Sequence, residues 1–144
     1  MNGDYNILNR NTSSPEEQRK MYSEICCSDF FLMSSNAITL DGELINIDGR
    51  GNRVSFLCFG PQNVLILIGM NKVVSDIDSG FKRVRNVAAP PNGIRLNKKT
   101  PCTITGKCED CFSPDCMCSQ FVVTRRSGIP NRIKVILIGE ELGY

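Results

Sequence analysis

The sequence predicts an α/β layered fold built on a mostly parallel or mixed sheet, and three observations carry that expectation. Helix-period segments alternate with short apolar runs along the chain. Val64 to Ile68 is continuously apolar, the mark of a central strand covered on both faces. Ser14-Pro15-Glu16-Glu17 is a strong helix start ahead of the first of those runs. With 144 residues, 41% hydrophobic and 22% charged, the chain reads as one domain, 1–144, with a core of its own.

At the first helix, the Ser14 hydroxyl suits a free backbone N–H, proline suits the first helical position, and Glu17 completes a capping box. Met21 and Ile25, one turn apart, give it an apolar stripe, and it ends near Cys27. Asp29 to Ser34 (DFFLMS) reads as a short buried strand. AITLDGELIN reads as a hairpin, because Asp41-Gly42 tolerates the positive φ of a two-residue turn. NIDGRGNRVSFLCFG runs through a glycine loop into a helix from about Asn52, which Gly60-Pro61 ends. Ser75 caps a further amphipathic helix with Ile77, Phe81, Val84 and Ala88 on one face, and Pro90-Pro91 stops it. Residues 92–119 show no clear period and form a cysteine-rich loop. Strands near Gln120–Arg125 and Arg132–Ile138 close the chain as a pair, with Ser127-Gly128-Ile129-Pro130 as the turn between them; an antiparallel pair there makes the sheet mixed.

A net charge of +2 and a pI near 8.1 are too mild for a nucleic-acid partner, and the basic residues from Lys82 to Lys107 read as a solvated face. The N-terminus has no hydrophobic signal core and the apolar run Val64 to Met70 is too short to span a bilayer, so the expectation is a cytoplasmic protein with no membrane partner. Thiols stay reduced there, which favours metal or redox chemistry over structural disulfides. The absence of histidine excludes a Ser-His-Asp triad and a Cys-His pair within the chain.

Five of the eight cysteines lie between Cys102 and Cys118. Cys108-Glu109-Asp110-Cys111 lets a tight turn aim two sulfurs at one metal, and Cys102 and Cys118 bring the thiolates to four. The spacing is close to the plant-type ferredoxin order and differs from paired zinc ribbons, so zinc and an iron–sulfur cluster both stay open, as do a metal-free loop and a reversible disulfide. Cys26, Cys27 and Cys58 read as small buried hydrophobes.

SSNAITLDGELINIDGRGNRVSFLCFGPQNVLILIGMNKVVSDI, with RVRNVAAPPNGIRLNKKTPC, GKCEDCFSPDCMC and the terminal VILIGEELGY, resembles the lactate-utilisation (LUD) domain family, long carried as a domain of unknown function. The resemblance covers nearly the whole chain after Tyr5. It implies a three-layer α/β fold similar to the CoA-transferase and ribose-phosphate isomerase superfamily. It also implies a role accessory to bacterial oxidation of lactate to pyruvate, beside a redox or iron–sulfur partner. Two departures stand out. Relatives carry a further α/β unit upstream, which this chain is expected to lack; the exposed apolar surface would then favour a homo-oligomer or a completing partner. Relatives also have a non-cysteine at the position of Cys116, which makes Cys116 the weakest ligand candidate and Cys118 the family counterpart.

In open α/β sheets, ligands bind beyond the carboxyl ends of the strands. Those ends are expected at Ser35-Asn36 and at Gly69-Met70-Asn71-Lys72. The loop Asp48-Gly49-Arg50-Gly51-Asn52-Arg53 would offer N–H groups to a small anionic metabolite, with Arg53 and Lys72 supplying charge. The candidate ligand-binding set is therefore Asn36, Asp48, Gly49, Gly51, Asn52, Arg53, Asn71 and Lys72. The candidate metal set is Cys102, Cys108, Cys111 and Cys118. Turn-forming Asn, Asp and Gly account for the same loop with no ligand at all. Asp41, Glu43 and Asp48 are carboxylates without a pocket to select one as a base. Three readings follow: a lactate-utilisation accessory protein with a cysteine metal site, a CoA-transferase- or isomerase-like enzyme or anion binder at the 48–53 loop, and a metal-stapled interaction module.

Overall fold

A computed structural model describes residues 5–8 and 14–144. Helix α1, Pro15–Cys26, begins with the expected capping box: Ser14 N donates to Glu17 Oε2 at 2.7 Å and Glu17 N to Ser14 Oγ at 3.3 Å. Those bonds to Ser14 hold the Glu17 carboxyl below its ordinary range. Strand β1, Phe30–Met33, follows, then the hairpin of β2, Ala37–Thr39, and β3, Leu44–Asp48. Gly42 at its turn has a φ of +86° and donates its N–H to Thr39 O at 3.0 Å. Helix α2 spans Asn52–Cys58 and strand β4 Asn63–Gly69.

Two sheets result. In the first, β4 lies between β1 and β7, Ile133–Ile138, with every pairing parallel. In the second, the order is β5-β2-β3-β6, where β5 is Val73–Val74 and β6 is Gln120–Thr124. There β2 pairs parallel with β5, while β2–β3 and β3–β6 are antiparallel. The fold is thus α/β with mixed pairing, as expected.

The layering follows from side-chain alternation. Met33, Val64, Ile66 and Ile68 of the first sheet meet Ile38 and Leu44 of the second, with Leu57 of α2. The opposite face of the second sheet, Ala37, Ile45 and Ile47, packs on Val84 and Ala88. Strand β3 is buried at every residue because it is covered on both faces. The order is therefore parallel sheet, mixed sheet, helices.

Five local expectations are corrected. The strand within Asp29 to Ser34 is not a buried one: of Phe30–Met33 only Met33 is buried, and Phe30 and Leu32 are exposed. The run Val64 to Ile68 is not covered on both faces: Val64, Ile66 and Ile68 are buried, whereas Leu65 and Leu67 are half-exposed. The cap of α3, Ile77–Arg83, is Asp76, whose Oδ1 accepts from Ser79 N at 2.7 Å; Ser75 instead hydrogen-bonds Asp76. Pro90-Pro91 do not stop the helical path. It passes through a π-helical turn, Val84–Ala88, and restarts as α4, Ala89–Arg95, with proline in its first turn, where no N–H partner is needed. The last two strands do not pair: β6 joins β3, and β7 joins β4. Within 92–119 a short helix α5, Pro101–Thr105, precedes the loop that carries most of the cysteines. Among the described residues no helix is long and apolar enough to cross a membrane.

Candidate functional site

Because β1, β4 and β7 are parallel, their carboxyl ends open side by side. The segments that leave them meet there. Lys72 Nζ donates to Ser34 Oγ at 3.2 Å, joining the exit of β1 to that of β4. Met70 N donates to Glu140 O at 3.1 Å, and Asn71 clamps the C-terminal segment by donating to Gly143 O at 2.8 Å and accepting from Leu142 N at 3.2 Å. A side chain at Gly69 would collide with Leu142 N, so glycine is required for the three exits to converge.

Helix α3 supplies Arg83, which donates to Asn36 O at 2.8 Å and to Asn71 O at 2.9 Å. It reaches them because Gly80, one turn earlier, lies flush on Ile45 of β3, where a Cβ would clash. Arg53, from the first turn of α2, closes the group. Its guanidinium donates to Asn46 Oδ1 at 2.6 Å, Asn36 Oδ1 at 3.0 Å, Ser34 O at 3.2 Å and Ile47 O at 3.2 Å, and its Nε lies 3.4 Å from Asp48 Oδ2.

Three cations therefore surround Ser34 to Asn36, and Asp48, beside Arg53, is the one carboxylate within ion-pair distance of them among the described residues. Burial lowers the Lys72 ammonium from its ordinary value, and Arg83 and then Arg53 lower it further. Burial likewise lowers Arg83. Asn46 is fully buried, and its Nδ2 has no hydrogen-bond partner among the described residues.

The glycine loop is built differently from the sequence expectation. Asp48 Oδ1 takes the N–H groups of Arg50 at 3.1 Å and Gly51 at 2.9 Å, so the loop's donors are turned onto its own carboxylate. Gly51 adopts φ +79° as the cap of α2, and Gly49 lies against the Met117 backbone. Asp48, Gly49, Gly51 and Asn52 shape the connection, Asn71 holds the C-terminal segment, and Asn36, Arg53 and Lys72 stand together at the strand ends. Sequence reasoning missed Ser34, Asn46 and Arg83. Asn46 was the readable one, an amide inside the otherwise apolar stretch LINI.

The π-helical turn holds the cysteine loop. Arg85 Nε donates to Cys108 Sγ at 3.1 Å, Arg85 also pairs with Asp110, and Asn86 Oδ1 accepts from Cys108 N at 3.0 Å. Cys102 Sγ sits 3.2 Å from Thr100 Oγ1. Cys116 Sγ accepts from Cys118 N at 3.5 Å, and Cys111 Sγ sits 3.6 Å from Ser113 Oγ. Cys118 is pushed up to about 12 by burial, then by Cys116, Cys108 and Cys102. The loop thus gathers its sulfurs, yet no three His, Cys, Asp or Glu side chains among the described residues stand close enough to hold an ion. As arranged, Cys102, Cys108, Cys111 and Cys118 do not form a metal cage. Cys26, Cys27 and Cys58 are exposed rather than buried, while their neighbours Ile25 and Leu57 take the buried positions at those helix ends.

Two concavities lie away from the strand ends. One of about 550 Å³ is lined by Asp41, Glu43, Arg125 and Arg126, and one of about 380 Å³ includes Lys82, Arg85 and Cys108. Gly143 packs against Lys72 Nζ, where an added Cβ would lie 3.6 Å away.

A family model described as LUD domain matches residues 1–138. A solved structure described as a DUF162 family protein from Deinococcus radiodurans is similar at 18% identity, with a TM-score of 0.46, covering 82% of this chain and 58% of that one. This chain therefore spans less than two thirds of that protein's length. No curated protein matches it.

Proposed function

The chain belongs to the LUD-domain family, and we propose that it is a lactate-utilisation-type protein of the cytosol, accessory to the oxidation of lactate to pyruvate, that binds a small carboxylate at the carboxyl ends of β1 and β4. The observation that supports this reading is the charge gathered there: among the described residues neither Lys72 nor Arg83 has a carboxylate within ion-pair distance. A buried ammonium with two donors beyond its bond to Ser34 is incompletely compensated, and a bound carboxylate would supply the missing charge and acceptors. Asn46 Nδ2 offers one more donor beside them. Entry requires the segment Leu142 to Tyr144 to lift from Lys72.

Binding is favoured over catalysis. Asp48 is committed to its own loop and to Arg53, and Asp41 and Glu43 belong to the hairpin turn and the residue after it. A thermal-shift series with L-lactate, pyruvate, coenzyme A and a sugar phosphate tests the reading. Lactate or pyruvate should raise the melting temperature of the wild-type chain and leave Lys72→Met unmoved. No shift with any of the four would contradict it.

A second reading concerns the cysteines: zinc or an iron–sulfur cluster on Cys102, Cys108, Cys111 and Cys118, in a protein that docks on a redox partner. Its support is that Cys102, Cys108 and Cys116 all lie near enough to Cys118 to bear on its charge. The sulfurs would have to turn from their present hydrogen bonds to share an ion. Elemental analysis with an absorption spectrum on anaerobically purified protein decides it. Stoichiometric zinc, or iron with visible absorption, supports the site, and metal-free protein with an ordered loop contradicts it.

A further inference from the structure

The parallel sheet has a bare apolar face. Its registers place Leu32 beside Leu65, and Leu67 beside Ile136, on the side opposite the core. Phe30 and Leu32 are 58% and 65% exposed, Ile136 is 45% exposed, and Leu65 and Leu67 are half-exposed. Parallel strands are ordinarily covered on both faces, and contiguous apolar surface of this kind marks association. We propose that this face is where a second copy of the chain docks, sheet against sheet.

Three features favour a second copy as the occupant. The face carries one ammonium, Lys134, which the register places beside Leu65, and that charge is already satisfied within the chain by Asn63 Oδ1 at 2.8 Å and Asn131 O at 2.6 Å, so it does not call for a partner of opposite charge. A two-fold axis lets one apolar patch serve both subunits, so a second copy brings an apolar face to meet this one. The area also fits. Three strands about 4.8 Å apart and about six residues long present roughly 300 Å² in plan, and about twice that as textured accessible surface. Two such faces remove on the order of 1,200 Å², the lower edge of a specific interface. The dimer should therefore be reversible, and largely insensitive to moderate salt because apolar burial drives it.

Sedimentation velocity across a concentration series tests this. The wild-type chain should shift from monomer to dimer with a midpoint on the order of micromolar. Leu32→Lys, at a position already mostly exposed, should stay monomeric with an unchanged melting curve, and so should Ile136→Lys. Phe112→Lys, at a 99% exposed position of the cysteine loop, should dimerise as the wild type does. A wild-type monomer at hundreds of micromolar, or a dimer that survives both substitutions, would overturn the proposal. Neither outcome bears on carboxylate binding at Lys72.

Discussion

Lys72 Nζ and Ser34 Oγ lie 3.2 Å apart, and that contact ties the exits of two adjacent parallel strands into one cationic centre. The strand ends are brought together by parallel pairing, and the charge is concentrated by burial. The same arrangement governs how the protein should respond to pH.

The Lys72 ammonium is lowered from 10.5 mainly by burial. Below its lowered value, both folded and unfolded chains carry the proton. Between that value and 10.5 the unfolded chain holds a proton the folded chain has lost, so the contribution of this residue to stability rises with pH. Urea unfolding at several alkaline pH values should show this rise in the wild type relative to Lys72→Met. Parallel curves for the two proteins would contradict the burial account.

Arg132 is buried, and its guanidinium donates to the carbonyls of Leu57 at 2.6 Å, Phe56 at 2.9 Å and Pro61 at 3.1 Å, fastening β7 to the end of α2. Arg132→Met leaves those carbonyls without that donor. Each such loss costs about 1–3 kcal/mol, so the substitution should destabilise the chain by roughly 3 kcal/mol or more. Chemical denaturation measures it; a change below about 1 kcal/mol would mean that water replaces the arginine.

Gly80→Ala should act at a distance. A Cβ there meets the tip of the Ile45 side chain, which is fully buried and has little room to turn, so α3 is expected to move away from β3, at a cost of about 1–3 kcal/mol. The same movement withdraws Arg83 from Asn36 O, so carboxylate affinity should fall along with stability. Paired unfolding and binding measurements check this, and unaltered affinity in a destabilised variant would detach Arg83 from the site.

Local features were legible in the sequence. The Ser14–Glu17 capping box and the Asp41-Gly42 turn depend on residues a few positions apart, and both stand as read. Sheet membership depends on distant partners, so the last two strands looked like a hairpin although β6 and β7 belong to different sheets. The run Val64 to Ile68 indicated a central strand correctly but not its bare face, because an apolar strand looks alike whether its second face is covered or not. At the site, Asn36 and Lys72 were readable as strand exits. Arg83 was not, because its place depends on Gly80 lying flush on Ile45, a contact between elements that no local pattern encodes. The glycine loop misled for the converse reason: its donors suited an anion, and Asp48 within the loop already supplies one.

Isothermal titration of pyruvate and L-lactate into the wild-type chain, Lys72→Met and Arg83→Gln at low salt tests the cationic centre most directly. The wild type should bind at least one of these carboxylates. Each variant should bind about tenfold to a hundredfold more weakly, the loss expected for one charge-assisted hydrogen bond. Equal affinity in the wild type and Lys72→Met, or no binding of either carboxylate to the wild type, would contradict the account.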